Sequence, residues 1–167
     1  MLKAIESRRS IRKFNPDIQV TKAQLTQLLT AAMLAPSARN SRPWEFIAVS
    51  KRETLDEIAR IHPYAQMCKT ATAAIIIIAI PQDGLPVGYY PQDCAAATQN
   101  ILIEAGDMGL GTCWCGIYPR DERIGPFTEM FDIKAPKVPF CVIAVGVPDE
   151  NPDPRGYYDE AKVNFIE

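Results

Sequence analysis

Histidine is nearly absent from this chain of 167 residues, because His62 is the only one. A closed zinc shell would then have to combine His62 with cysteines, which stays open only as a minor alternative. We therefore predict that the protein holds no metal. His62 precedes Pro63 in a predicted loop, where a lone histidine usually faces solvent, so we expect it at the surface.

An excess of charge is also missing, since 18 lysines and arginines face 20 aspartates and glutamates and leave a net charge of −2. Nucleic-acid-binding domains usually carry a basic face, so we expect no nucleic-acid partner. The longest apolar run, Ala73–Ile80, is far shorter than the ~20 residues that span a bilayer. A secretory signal is not expected, because Glu6 and Arg8 follow too soon for an apolar segment. We predict a cytoplasmic protein without membrane contact.

The five cysteines are an odd number and stand mostly in apolar surroundings. This usage favours reduced, buried thiols over a disulfide framework. Cys113 and Cys115 form a C-x-C pair. On a strand both sulfurs would point to one face and a bridge between them would be strained, although a redox dithiol stays open as an alternative.

Alternating helical and strand patterns run along the chain without repeats or an interdomain linker. A first helix is predicted from Leu2 to about Ser10. Thr21 and Gln24 form a capping box for a second helix, and Ser50 and Glu53 for a third. Predicted strands are Glu45–Val49, Ala73–Ile80, Thr112–Ile117, Phe140–Val147 and a late Val163–Phe165, with a short helix at Ile124–Phe131. The isoleucine-rich strand should be central and covered on both faces.

One further helix is predicted from Asp93, as its cap, to about Met108, with Gly109 ending it. Its apolar residues extend almost around the whole circumference, which indicates burial on most sides. In a domain this small, such burial is hard to achieve without a second subunit. We therefore expect this helix to form a dimer core.

The segment Ser7-Arg8-Arg9-Ser10-Ile11-Arg12-Lys13-Phe14 is strongly cationic in a chain of low net charge. If it ends a helix, the spacings of three and four between its arginines place guanidinium groups on neighbouring faces. Together with the Ser10 hydroxyl, such groups would suit a phosphate monoester. The alternative is a solvated charge run that keeps the N-terminus soluble.

Two later segments have the composition of ligand-binding loops. The first, APSARNSRPW (35–44), is rich in Pro, Ser and Asn. The second, GLGTCWCG (109–116), has glycines that let a backbone approach a flat ligand closely. In the order RRSIRKF, APSARNSRPW, GLGTCWCG, the chain from about Ile5 to Val163 resembles the short form of the nitroreductase-like FMN oxidoreductase family. The family pattern is roughly R-R-S-x-R-x-F, then P-S-x-x-N-x-Q-P-W, then G-L-G-x-x-W.

The resemblance implies an α+β fold with a mixed sheet flanked by helices, assembled as an intertwined homodimer. A single domain would cover residues 1–167, with 148–167 as an extended C-terminal tail. The first strand is followed by no G-x-G-x-x-G motif, so a Rossmann dinucleotide site is not expected.

The resemblance also implies a flavin site shared by two chains. The positions that hold the phosphate, ribityl chain and pyrimidine edge are matched by Arg8, Arg9, Ser10 and Arg12. The partner subunit's positions against the ring are matched by Pro36, Ser37, Ala38 and Asn40. The strand end whose backbone N–H groups point at flavin N5 and O4 is matched by Thr112, Cys113, Trp114, Cys115 and Gly116. Arg155 matches a basic position in the tail.

By this resemblance, NADH or NADPH reduces bound FMN and leaves, and a nitroaromatic, quinone or flavin acceptor then takes the electrons in a ping-pong cycle. No catalytic side chain is implied, because the chemistry belongs to the flavin and to the backbone near Cys115 and Gly116. The alternatives are a flavin-sequestering or sensory protein without fast turnover, and a flavin destructase or dehalogenase-type member. Two positions depart from the family pattern: Arg42 replaces the amide of N-x-Q-P-W, and Tyr157 stands where a second tail arginine is expected.

Overall fold

The computed structural model describes residues 1–81, 83–84, 88–153 and 155–167. Its helices are α1 Lys3–Ser7, α2 Lys22–Met33, α3 Arg52–Ile61, α4 Tyr89–Asp107 and α5 Asp121–Met130. Its strands are β1 Phe14–Asn15, β2 Trp44–Val49, β3 Ala73–Ala79, β4 Gly111–Gly116 and β5 Val138–Pro148. Short 3₁₀ helices lie at Ala38–Asn40, Gln66–Lys69 and Glu160–Lys162.

The strands form one sheet in the order β1-β5-β3-β2, and β4 pairs with β5 as well. All pairs of these strands are antiparallel. A parallel contact is made by the bridge between Ser10 and Thr112. The predicted α+β class with a sheet flanked by helices is confirmed, but the strand pairs are antiparallel where a mixed sheet was expected.

Strand β3 is central and every one of its residues is buried, as predicted. Successive side chains of a strand point to opposite faces. Accordingly, Ile75 and Ile77 join one apolar core with residues of α2 and α4. Ile76 and Ile78 join a second core with residues of α3 and α5. The sheet therefore lies between two helical layers.

The helix starts were predicted with mixed success. The capping box of Thr21 and Gln24 is present at the start of α2. The box predicted at Ser50 and Glu53 is wrong, because α3 begins at Arg52 after an N-cap at Lys51. Ser50 is then one residue too early for its hydroxyl to reach the third helical amide.

Helix α4 differs from its prediction in two ways. It begins at Tyr89, so Asp93 lies inside the helix and does not cap it. Its core residues are covered by its own chain: Ile101, for example, is 0% exposed and belongs to the core shared with α2 and the sheet. The argument that this helix needs a second subunit for burial is therefore wrong. Gly109 ends it in the left-handed region, with a φ of 72°.

The two ends of the chain were partly mispredicted. Helix α1 stops at Ser7, so the arginines after it lie on an extended segment and not on helical faces. The residues after β5 contain one 3₁₀ turn, and Val163–Phe165 forms no strand because Phe165 is exposed and unpaired with the sheet. All five cysteines are free and buried, as predicted. None of the helices in the described ranges is long and apolar enough to cross a membrane.

Candidate functional site

A cationic pocket of about 310 Å³ forms where the N-terminal segment meets the C-terminal tail. It is lined by Arg8, Arg9, Ser10, Arg12, Glu150, Pro152 and Arg155. The sequence prediction had grouped all four arginines and the serine. The structure brings them together although the tail and the N-terminus are far apart in the chain.

The N-terminal segment is held in place by strand β4. The Ile11 N–H donates to the Thr112 carbonyl at 2.8 Å, and the Ile11 side chain is buried against Gly111. A Cβ on residue 111 would lie 2.9 Å from the Ile11 side chain, so glycine is needed for this close approach. Anchoring Ile11 in this way places Ser10 and Arg12 beside the strand.

The four arginines of the pocket differ in what they bind. Arg9 donates from Nη1 to the carbonyls of Glu6 (2.8 Å) and Arg8 (2.7 Å), and from Nε to that of Asp153 (3.1 Å). Its guanidinium thus fastens the tail to the end of α1. Within the described residues, no hydrogen bond or salt bridge engages the guanidinium of Arg8, Arg12 or Arg155. Three cations in the pocket are therefore free to meet an anion.

Glu150 was missed by the sequence analysis. Its carboxylate accepts hydrogen bonds from the backbone N–H groups of Arg12 and Lys13, the latter at 3.1 Å. This contact ties the tail to the N-terminal segment and offsets part of the positive charge. It also shows that two adjacent amides here can bind an oxyanion.

A second pocket, of about 510 Å³, lies beside strand β4 and shares Arg12 with the cationic pocket. From the predicted set it contains Cys113, Trp114, Cys115 and Gly116. The sequence analysis missed its other wall, which is formed by His62, Tyr64, Gln66 and Met67. We call this pocket the strand-edge pocket.

Strand β4 pairs with β5 on one side, which leaves its other edge for the pocket. The N–H and C=O of a residue in an antiparallel strand point the same way, and the direction alternates along the strand. The Thr112 carbonyl points to the free edge, where it accepts from Ile11. By this alternation, the N–H groups of Trp114 and Gly116 also point to the free edge.

His62 is fully buried, so the expectation that it lies at the surface is wrong. Its Nδ1 accepts from the Tyr64 N–H at 3.1 Å, and its Nε2 lies 3.0 Å from the Gly116 carbonyl oxygen. Since Nδ1 accepts, Nε2 must carry the proton and donate. Burial lowers the pKa of His62 and keeps the ring neutral, while the bond to Gly116 acts against this shift.

Arg123 reaches the same carbonyl from helix α5. Its Nη1 donates to the Gly116 oxygen at 2.8 Å, and its guanidinium carbon lies 5.2 Å from the centre of the Tyr64 ring. A cation over an aromatic face at this distance is attracted by the ring. The Gly116 carbonyl therefore accepts from two side chains, and the sequence analysis had assigned neither of them to the site.

The C-x-C pair lies on one face of β4, as predicted. Cys113 and Cys115 are buried, whereas the side chain of Trp114 between them is 37% exposed. Cys115 donates from its thiol to the Tyr64 carbonyl at 3.2 Å. The neighbouring Cys113 thiol and burial raise the pKa of Cys115, so this thiol stays protonated.

The loop that carries Pro36, Ser37, Ala38 and Asn40 has a strained backbone. Arg39, Asn40 and Arg42 all have positive φ angles, of 52°, 54° and 49°. Left-handed conformations cost non-glycine residues roughly 1–2 kcal/mol each. Such strain persists only where surrounding contacts enforce it, and it is concentrated at functional sites.

Polar contacts hold this loop in shape. The Ser37 hydroxyl accepts from the Arg42 N–H at 2.9 Å, and the Asn40 side-chain oxygen accepts from Arg42 Nε at 3.1 Å. Asp93, from inside α4, accepts from the Ala38 N–H at 3.0 Å. The loop lines neither the cationic pocket nor the strand-edge pocket of its own chain. A single chain thus brings together the first and third predicted motifs but not the second.

No group of three or more His, Cys, Asp or Glu side chains within the described ranges could hold a metal ion.

Comparison with known proteins agrees with this geometry. The model of the nitroreductase family matches residues 5–74 and 67–147. The chain belongs to the nitroreductase family.

Individual relatives are similar to this chain over nearly its whole length. A protein of Methanothermobacter thermautotrophicus named NADH dehydrogenase/NAD(P)H nitroreductase is 42% identical over 165 residues, which cover 99% of this chain and 86% of that protein. The solved FMN-dependent nitroreductase of Clostridium difficile is 31% identical, with a TM-score of 0.89 over 100% of this chain and 99% of that one. A nitroreductase of Desulfovibrio desulfuricans solved in complex with FMN is 25% identical, with a TM-score of 0.82 over 99% of this chain and 95% of that one.

Proposed function

We propose that the chain is an FMN-dependent NAD(P)H oxidoreductase that passes electrons by a ping-pong mechanism to small acceptors such as nitroaromatics, quinones or flavins. One observation carries the proposal: a pocket with three guanidinium groups that no described residue engages meets, at Arg12, the edge of β4 that faces away from β5. FMN has the matching order of parts, with a phosphate at one end and a flat ring with hydrogen-bonding edges at the other. The FMN named for two of the solved relatives supports the same cofactor.

The residues present fit FMN at both of its ends. Arg8, Arg12 and Arg155 would bind the phosphate, since guanidinium forks match its oxygens. The Ser10 hydroxyl, which also lines the pocket, would add a further donor. Arg9 would act indirectly, by keeping the tail and its Arg155 at the pocket.

The strand-edge pocket would hold the flavin ring. The N–H groups of Trp114 and Gly116 would orient the ring by its polar edge, and the exposed Trp114 side chain would border it. When bound, FMN supplies the hydride chemistry, and a donor at its N5 favours the reduced form. Cys113, Cys115 and Thr112 would contribute mainly by fixing the strand, because their side chains are buried.

We also propose that two chains form each flavin site. The loop with Pro36, Ser37, Ala38 and Asn40 does not reach the pockets of its own chain, so it would complete those of a partner. Exposed apolar side chains on the layer of α1, α2 and α4 would supply the interface; they are Leu2, Ile5, Met33 and Leu34. The expected assembly is a homodimer, with cytoplasmic location still a prediction from the sequence.

The test is an absorbance spectrum of the purified protein, followed by anaerobic addition of NADH and, separately, NADPH. We expect one FMN per chain and bleaching of the flavin band by at least one of the two donors. Steady-state oxidation of the donor with a quinone or nitroaromatic then tests turnover. A protein that binds FMN but shows no turnover would be a flavin-sequestering or sensory protein, and one that binds no flavin would refute the proposal.

A further inference from the structure

We infer that His62 and Arg123 are positioning residues, which hold Gly116 in place so that its N–H can donate to the polar edge of the flavin ring. This inference rests on the proposed function. It starts from the Gly116 carbonyl, which accepts from His62 Nε2 at 3.0 Å and from Arg123 Nη1 at 2.8 Å. A carbonyl oxygen has two lone pairs, so both of its acceptor positions are used.

The two donors come from two different elements of the fold. His62 follows the end of α3, and Arg123 lies in the first half of α5. Both helices pack in the core beneath this face of the sheet. The end of this edge strand is thereby connected to two helices, in addition to its backbone pairing with β5.

Gly116 needs such support more than another residue would. Glycine has the greatest backbone freedom, and apart from its two chain neighbours no described residue has an atom within 4 Å of where a Cβ would be. While Gly116 keeps its strand conformation, its carbonyl and its N–H point to the same edge, so two bonds that hold the carbonyl there also favour the conformation that directs the N–H to that edge. A misplacement of about 1 Å at a reacting centre can reduce the rate by about 100-fold.

The arrangement requires a neutral His62. Its Nδ1 must accept from the Tyr64 N–H while its Nε2 donates to Gly116. A protonated ring would lose the acceptor and would place a second positive charge near Arg123. The ring is further held by edge contacts with Phe127 and Tyr64, whose ring centres lie 6.1 and 6.3 Å away.

Two substitutions separate the two hydrogen bonds of His62. In His62→Gln the side-chain amide can take the place of Nε2–H and donate to Gly116, but it loses the acceptor for Tyr64. In His62→Asn the side-chain oxygen can take the place of Nδ1 and accept from Tyr64, but it loses the donor to Gly116. Both variants bury one amide at the same place, so each is the control for the other.

The readouts are the melting temperature, the FMN midpoint potential and the anaerobic rate of flavin reduction at saturating NAD(P)H. We expect both variants to melt lower than wild type. His62→Asn should reduce flavin at least about 10-fold more slowly and have a more negative potential, whereas His62→Gln should retain most of the rate. Arg123→Met should shift rate and potential as His62→Asn does, because it removes the second donor.

A measurement without flavin tests the geometry itself. His62 is the only histidine, so the imidazole signals in a nitrogen-15 NMR spectrum of the flavin-free protein belong to it. We expect the Nε2–H tautomer at neutral pH. An imidazolium, or the Nδ1–H tautomer, would overturn the inference.

The outcomes separate the two proposals. If wild type binds and turns over FMN while the Asn and Gln variants have equal rates and potentials, the positioning inference is wrong and the proposed function stands. If wild type takes up no FMN, both proposals fail.

Discussion

Replacing Arg8 by alanine should weaken FMN binding while leaving riboflavin binding almost unchanged. Arg8 lines the cationic pocket, is half-buried, and has no hydrogen bond or salt bridge among the described residues. Its replacement by alanine therefore breaks no side-chain hydrogen bond or salt bridge among the described residues. Riboflavin lacks the phosphate, so the difference between the two ligands isolates the interaction with the phosphate.

The magnitude follows from the kind of bond that would be lost. A hydrogen bond to a charged group contributes about 1.5–3 kcal/mol. Because about 1.4 kcal/mol corresponds to a tenfold change, the FMN dissociation constant should rise roughly 10- to 140-fold. Part of this effect is Coulombic, so the difference between wild type and variant should shrink as salt is added.

The assay is titration of flavin-free protein with FMN and with riboflavin, followed by the quenching of flavin fluorescence. Arg120→Ala is the matched control, because it removes the same charge from an exposed arginine outside the pocket. Unchanged FMN binding in Arg8→Ala would mean that the cationic segment is only a solvated surface. Equal losses for FMN and riboflavin would mean that Arg8 supports the fold and not the phosphate.

Four further outcomes are expected. Leu34→Glu should run as a monomer in size-exclusion chromatography and should lack stoichiometric FMN, because Leu34 is 78% exposed at the end of α2 and is proposed to lie in the dimer interface. A monomer that still binds one FMN per chain would rule out a shared site. Tyr157→Arg should tighten FMN at an unchanged reduction rate, since an arginine beside Arg155 adds a charge-assisted bond that tyrosine cannot supply in full; a changed rate with unchanged affinity would place the tail over the substrate cleft. Burial lowers the pKa of His62 in the folded protein. The neutral ring therefore stabilises the fold above the unfolded pKa of about 6.5, and this stabilisation is lost as the pH falls below that value. The melting temperature should show the loss in wild type but not in His62→Gln, and equal pH profiles would contradict it. Prolonged treatment with a chelator should leave activity unchanged, and a loss that zinc restores would refute the absence of a metal.

The cationic segment illustrates how far local reasoning reached. Its residue types indicated an anion site, and four of its side chains line the cationic pocket. The reason given for their convergence was nevertheless wrong. They meet on an extended segment that is anchored to β4 at Ile11, since α1 ends before the arginines.

The α4 helix illustrates a limit of composition. Its apolar circumference was correctly read as burial, but composition cannot tell which surface does the burying. In the structure α2, the sheet and α1 cover it, and Ile101 has no exposed surface left for a partner. Exposed apolar residues elsewhere on this layer are therefore better candidates for an interface.

The sequence by itself determined the features that depend on neighbours along the chain. These are the capping box at Thr21, the central apolar strand, the single face shared by Cys113 and Cys115, and the three motifs. Only the tertiary structure decided which distant side chains complete the site. His62 meets the Gly116 carbonyl across 54 residues, and Glu150 meets the Arg12 amide across 138. Such contacts leave no periodic or local pattern in the sequence, because the packing of the sheet and its helices creates them.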